Sequence, residues 1–475
     1  MLGQNPSQPA FFQMVDMESL VPANHRLRQI DAALDLSFVR EELAHCYTPR
    51  RGRPSVDPEL AVRMMILGVL YDLSDRQLCD EIRMHAGFRW FCRLNFHDPV
   101  PDHSTLSRLR NERWAESEIF TRLFEEVLRS CVEAGMVSGR HASADGTQIK
   151  ANASMRSLEA RPTAEEDVSS DDEPGAPPTQ QSVPPSKRRV AQPEGAWQGH
   201  GERYSNETHV SRTDPEARLY RKGPNQGAQL SYLVHDVIDT KSRVILGRRA
   251  SEASGTAERE AALKLLDEHE ARRTRLGLER SVEILSADAG YGVGSFVADV
   301  IERGITPHTP LQAREELEAV PTWKRKTYNL RHYQNRRDKV RQARARNQVR
   351  RAQQTHGYSV SRKLRIRSEH TFAEAKNQHG LGRARHRSLE KVDRHALFVA
   401  TVQNLKRLSR TLRHLAQGQT ADSGYYGALL HLLRAAYARL RFFRTHPRLF
   451  KAIQTESAIA AFFGLGKMAH SSTAF

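Results

Sequence analysis

The sequence predicts a mixed α/β core, a sheet flanked by helices, behind an all-helical N-terminal region. Three observations carry this. Residues 1–135 hold apolar runs punctuated by helix-start signals. Three β-prone runs follow, at 142–149, 230–238 and 282–287. Helical stretches at 256–270 and after 292 alternate with those runs, and the order strand, hairpin, helix, strand, helix indicates a mixed sheet with helices on its faces.

In the N-terminal region, Asp57-Pro58-Glu59 combines an N-cap, a proline at the first helical position and an acid in the first turn. It opens the apolar run Leu60 to Leu70. Ser74-Asp75-Arg76-Gln77 fits a capping box for a helix reaching about Met84. A third helix is expected near Ser104, carrying Arg108, Arg110 and Arg113. Short helices ending in a basic one suit a helix-turn-helix-like DNA reader, and a plain helical bundle fits equally well. Phe88-Arg89-Trp90-Phe91 reads as core.

After Gly135 to Gly139, residues 142–149 read as a strand. From about Ser154 to Gly201 the composition shifts to Ser, Pro, Glu, Asp and Gln with almost no large apolar residues. Such a segment buries too little surface to offset its ordering entropy, so a disordered insert is expected there. Leu230 to Ile238 and Arg243 to Gly247, joined by Asp239-Thr240-Lys241-Ser242, are expected to form a hairpin. Val282 to Ala287 reads as a buried strand running into the turn Asp288-Ala289-Gly290-Tyr291-Gly292, then a helix to about Arg303.

Lys and Arg number 73 against 56 Asp and Glu, a formal net charge of +17. That surplus favours a polyanionic partner, nucleic acid before an anionic membrane surface. No run approaches the roughly 18 apolar residues of a membrane span. The expected location is cytoplasmic and nucleoid-associated. Cys46, Cys79, Cys92 and Cys131 contain no Cys-x-x-Cys pair and read as reduced, mostly buried thiols. The charge is densest between Trp323 and Arg351, where Arg336, Arg337, Arg341 and Arg344 stand among many cations with Asp338 the sole acid. Neutralising phosphates with such a segment gives salt-sensitive binding without sequence preference. Trp323 could stack on an extruded base or simply pack. A last basic helix is expected at about Leu429 to Phe443.

Asp145 and Asp288 share a local pattern, Ser-Ala-Asp followed by Gly or Ala-Gly, at what reads as the end of a strand. Ligands collect at strand ends in open sheets, and carboxylate oxygens are the ligands Mg²⁺ prefers. On a helix, Arg365, Glu369, Phe372 and Lys376 share one face. An Arg/Glu pair at that spacing alone is a solvated ion pair worth a few tenths of a kcal/mol, about 0.2–0.5. Taken with the two aspartates, Glu369 completes a set of three carboxylates. Glu374 lies about 140° round the helix from Glu369 and is not expected to share its site. Glu390 lies past a Gly-rich turn, and Asp214, Asp236 and Asp239 read as turn residues.

Arg365, Glu369 after three residues and Lys376 after six resemble the Tyr-x2-Arg-x3-Glu-x6-Lys motif of the DDE transposases of bacterial insertion sequences. Arg362 stands where that motif has Tyr. His379-Gly380-Leu381, Asn404-Leu405-Lys406-Arg407 and Thr213 to Arg218 resemble the same branch. The resemblance implies a ribonuclease-H-like catalytic core over 136–412, with the disordered insert at about 154–201 and a basic insert at about 306–362. It implies a helical DNA-binding domain over 1–135 and a basic helical tail over 413–475. Asp145, Asp288 and Glu369 would bind two Mg²⁺ ions, with Mn²⁺ able to substitute, and Arg365 and Lys376 would hold the phosphate backbone. The partners implied are double-stranded DNA, as terminal inverted repeats and target, and a second copy of the chain as a homodimer on DNA. The implied reaction is hydrolytic cleavage at the element ends and strand transfer by the freed 3′-hydroxyl. Two rivals are a catalytically inactive or repurposed DNA-binding protein and a ribonuclease-H-like nuclease that cuts without joining.

Overall fold

The computed structural model describes residues 16–48, 55–161, 204–223, 226–278, 280–311 and 330–417. Its first part is built from α1 (Met17–Leu20), α2 (Arg26–Ala33), α3 (Val39–Glu42), α4 (Pro58–Leu70), α5 (Asp75–Met84), α6 (Ala86–Phe91), α7 (His103–Arg108) and α8 (Ile119–Glu133). Local chemistry sets the starts. The Asp57 carboxylate accepts from the Glu59 N–H at 3.0 Å with Pro58 in the first turn, and Ser74 and Gln77 cap α5 reciprocally. Phe88, Trp90 and Phe91 are buried, as expected of core. The basic third helix is less free than its charge suggests. It runs into a π-turn at Leu109–Arg113, Arg110 is paired with Asp75 at 2.6 Å, and the Arg113 guanidinium lies 5.0 Å from the Tyr47 ring centre.

The strands are β1 (His141–Lys150), β2 (Leu158–Ala160), β3 (His209–Ser211), β4 (Arg218–Tyr220), β5 (Gln229–Asp239), β6 (Ile245–Glu252), β7 (Ile284–Ser286) and β8 (Thr306–His308). Six of them form one sheet in the order β4-β5-β1-β7-β8, with β6 also on β5, while β2 and β3 pair separately. β5 and β6 form the expected hairpin, closed by the Asp239 carboxylate accepting from the Lys241 and Ser242 amides at 3.0 and 2.9 Å. β1 is antiparallel to β5 but parallel to β7, and β7 is parallel to β8. The sheet is therefore mixed, and the fold class expected from sequence is the one observed.

Six further helices are interleaved with the strands and follow them: α9 (Ala257–Arg273), α10 (Gly294–Glu302), α11 (Leu330–Gln353), α12 (His356–Leu364), α13 (Ile366–Gln378) and α14 (Leu389–Ala416). α14 is the keystone. One continuous buried cluster runs from Leu27 and Ile30 of α2 through Leu123 and Phe124 of α8 and Val399 and Leu405 of α14 to Val234 and Ile245 of the sheet. It also covers the edge of β6: the Asn404 side chain accepts from the Ile245 N–H and donates to its carbonyl, both at 2.8 Å, and Asp393 accepts from the Ala250 N–H.

Three expectations are corrected here. Residues 154–161 carry a short 3₁₀ turn and β2, which pairs with β3, so order extends past the expected start of the insert. Residues 306–308, assigned to the basic insert, form β8, the strand at one edge of the sheet. Asp236 is no turn residue: it lies inside β5, buried, with both carboxylate oxygens held by Arg248 at 2.6 Å. Asp214 opens a turn, as expected, with the Ala217 N–H donating to its carbonyl at 3.1 Å, and its buried carboxylate accepts from the Tyr232 hydroxyl at 2.6 Å. The C-terminal basic helix, the remainder of the 154–201 insert and Trp323 lie outside the described residues.

Candidate active site

The register of two parallel strands positions the aspartates. Ser143 of β1 stands opposite Ser286 of β7 at the end of their pairing. Asp145 and Asp288 each lie two residues further on, and side chains alternate with a period of two, so both start from equivalent positions on strands about 4.8 Å apart. Asp145 differs from its expected place in one respect. It sits in the middle of β1, which runs on to Lys150 against β5, and only the pairing with β7 ends before it. Asp288 lies just beyond β7, as expected, where its carboxylate accepts from the Gly290 N–H at 2.8 Å. The Asp145 carboxylate accepts from the Gly146 N–H at 2.9 Å. Burial, reinforced by the charge of Asp288, nevertheless pushes its pKa up to about 7.

α13 brings the third carboxylate. The hydroxyls of Ser143 on β1 and Ser368 on α13 are 3.2 Å apart, a buried contact that ties the helix to the strand two residues before Asp145. Glu369 follows Ser368. It lines a cleft of roughly 590 Å³ together with Asp288, His308, Tyr358, Arg362 and Arg365. Its carboxylate is held by Arg365 at 2.9 Å, the i, i+4 pair read from sequence. The third carboxylate thus shares a cleft with Asp288 and is turned to a cation. Among the described residues no three His, Cys, Asp or Glu side chains stand together as a ready metal cage.

A fourth carboxylate was not read from sequence. Glu258, in the first turn of α9, reaches the backbone at Gly146, where an added Cβ would stand 3.0 Å from its Oε1. Burial and the charge of Asp288 raise its pKa. Next to this group the Tyr291 hydroxyl is buried without a hydrogen-bond partner, and the charges of Glu258, Asp145 and Asp288 add to the burial that raises its pKa. Carboxylates held close in like charge and a buried hydroxyl lacking a partner fit a hard divalent cation with oxygen ligands. The signal in sequence was absent because Glu258 meets β1, at Gly146, only in the folded chain.

Other expected residues are scattered. Lys376 donates from Nζ to the Gln148 carbonyl at 2.8 Å, on β1 but away from the carboxylate cleft. Arg341 is consumed by Asp299 and Glu302 of α10. Arg337 and Arg344 are exposed on α11, and Arg336 is half-buried. Arg362, where the motif has Tyr, is exposed at the cleft mouth, and Tyr358 one helical turn earlier lines the same cleft. α12 is fastened to the sheet through Ser361, whose hydroxyl lies 2.7 Å from His308 Nδ1 and 3.0 Å from His141 Nε2. Glu374 keeps apart from Glu369, as expected, bound to Lys406 and to Arg407 at 2.7 Å. The four cysteines are free thiols, three of them buried.

Two families match the chain. Residues 15–112 match a Transposase domain (DUF772), and residues 207–405 match a Transposase DDE domain. The second match takes in Asp288 and Glu369 and stops short of Asp145. No curated protein and no solved structure matches significantly.

Proposed function

We propose, from the premise that the chain belongs to the DDE-type transposases of insertion sequences, that it binds transposon ends and cuts and rejoins DNA at the cleft between Asp145, Asp288 and Glu369. The observation that supports this most is the equivalent placement of Asp145 and Asp288 two residues beyond the β1/β7 pairing. Such a pair, in a basic chain whose family acts on DNA, is suited to phosphodiester chemistry.

Asp145 and Asp288 would hold a divalent cation, with Glu369 joining once released from Arg365. When bound, such an ion polarises the phosphate and activates the attacking oxygen. The chain's own residues do the rest. Arg365, freed by the same movement, offers a two-pronged guanidinium to non-bridging oxygens, and exposed Arg362 and Lys363 at the mouth add charge that draws the backbone in. The half-buried setting of Asp145 keeps bulk water from screening these charges. Arg248 neutralises Asp236 directly opposite Asp145, so that acid does not add its full charge to the cluster.

The test is incubation of the full chain with Mg²⁺ and DNA carrying its own flanking sequence, scoring cleavage and strand joining. Asp288→Asn is expected to abolish cleavage while DNA binding persists. Undiminished cleavage by that variant overturns the assignment. A second reading, DNA binding without turnover, draws on the Arg365–Glu369 pair, and it is the one left standing if the unaltered chain binds its ends and never cuts.

A further inference from the structure

A second, larger cleft of about 900 Å³ opens between the N-terminal helices and the core, and none of the carboxylates of the proposed catalytic set lines it. One wall comes from the turn between α4 and α5 and from Arg110 and Asn111. The other comes from the end of β1, the end of α13 and the turn leading into α14. Its lining contains seven Lys and Arg but two acids. Both acids are already matched, Asp72 by Arg385 and Asp75 by Arg110. Arg394 is taken by Glu390 and by the carbonyls of Arg110 and Ala115. Lys150, Arg383 and Lys391 remain, with no ion pair among the described residues, and Lys376 sits beside them bonded only to a carbonyl.

The arrangement is specific in two ways. Backbone pairing holds the free cations in place: the Lys150 N–H donates to the Gly382 carbonyl at 3.3 Å, and the Ala384 N–H donates to the Lys150 carbonyl at 2.7 Å, with Arg383 between. Two of the matched arginines, Arg385 and Arg394, act as struts across the cleft. Arg385 reaches from the α13–α14 turn to Asp72 and to the Leu73 carbonyl at 2.7 Å, and so fixes the opposite wall. Like charges brought together by structure, with their nearest acids spent elsewhere, focus positive potential into the cleft.

The cleft also stands in measured relation to the carboxylates. Lys150 lies five residues past Asp145 on one strand, about 17 Å at roughly 3.3 Å per residue. Lys376 lies seven residues past Glu369 on one helix, about 10 Å at roughly 1.5 Å per residue. Along a duplex, with phosphates about 3.4 Å apart per strand, those spans equal about three to five base pairs.

From these facts we infer that this cleft binds the phosphate backbone of duplex DNA about three to five base pairs from the scissile phosphate, through Lys150, Arg383 and Lys391. The inference rests on the reading of Asp145, Asp288 and Glu369 as the cutting site, and it adds a contact on the core wall of the cleft.

The test is the affinity of the full chain for a 40-base-pair duplex of arbitrary sequence, measured by fluorescence anisotropy in EDTA at several salt concentrations. The triple variant Lys150→Ala/Arg383→Ala/Lys391→Ala should bind more weakly and show a log–log salt slope smaller by about 2–3, since each phosphate contact contributes about 0.9. A parallel variant, Arg337→Ala/Arg344→Ala/Arg351→Ala on the exposed face of α11, serves as comparison. An unchanged slope in the cleft variant, with its melting temperature preserved and the α11 variant impaired, overturns the cleft while leaving the DNA-processing reading intact. Absence of salt-dependent binding by the unaltered chain overturns both. Stabilisation of the unaltered chain by inorganic phosphate, lost in the cleft variant with no change in DNA slope, assigns the cleft to a small anion and overturns the DNA contact.

Discussion

Asp145 is held under strain of charge rather than of geometry. Burial and the neighbouring Asp288 raise its pKa to about 7 against an ordinary value of 3.8. The folded state thus binds a proton that the unfolded chain has already released, and the sign follows: its contribution to stability is full below about pH 4 and is lost as the pH rises through about 7. Cation-free protein compared with Asp145→Asn should show this directly. The variant's melting temperature, relative to the unaltered chain, should climb between pH 5 and pH 8, and saturating Mn²⁺ should close the gap by stabilising only the unaltered chain. A difference that does not change with pH would place the carboxyl in water. The same residue shows what sequence can carry. The repeated Ser-Ala-Asp pattern exposed both aspartates because it reflects one strand register used twice. Asp236 reads as a turn residue in sequence because its partner Arg248 lies across a hairpin, and Glu258 escapes notice because its neighbours are neighbours only in space.

Elements with their own start signals were legible. The caps of α4 and α5, the Asp239 turn and the α13 ion pair are local chemistry, complete within a few residues. Four of the five strands of three residues were not, since β2, β3, β4 and β8 exist only through pairing with distant segments. The edge of β6 is the sharpest case. Its safety from unpaired backbone groups depends on Asn404, well over a hundred residues away in the chain, bonding both polar groups of Ile245. Asn404→Leu fills the same space but leaves a buried N–H and C=O without partners, at about 1–3 kcal/mol for each. Urea unfolding should register a loss of that order, and hydrogen exchange should quicken at Ile245 before the centre of β5. If stability holds and exchange at Ile245 stays slow, α14 does not serve as the cover of that edge.

At the scale of the molecule, charge and core point in different directions. Composition suggested a DNA-binding helical domain set apart from a catalytic one, with a boundary near residue 135. The apolar residues form one cluster across that boundary, because α14 is buried on one flank against α2 and α8 and on the other against the sheet. Phe398 of α14 meets Phe120 of α8 edge-on, ring centres 5.5 Å apart. A helix long enough to serve two layers makes their stabilities interdependent, so the helical region and the sheet should unfold together. Phe398→Ala, a buried aromatic truncation expected to cost about 3–5 kcal/mol, separates the alternatives. Trp90 and Trp114 are buried in the helical region and report its unfolding by fluorescence, while hydrogen exchange of β5 amides reports the sheet. If the layers are coupled, the substitution lowers the midpoint of both signals by the same amount. If they were independent domains, the truncation at the helical contact would shift the tryptophan signal and leave β5 protected. Coupling of this kind would also give the cleft between the layers its rigidity, since Arg385 and Arg394 can tie its walls together only while both layers stay folded on α14.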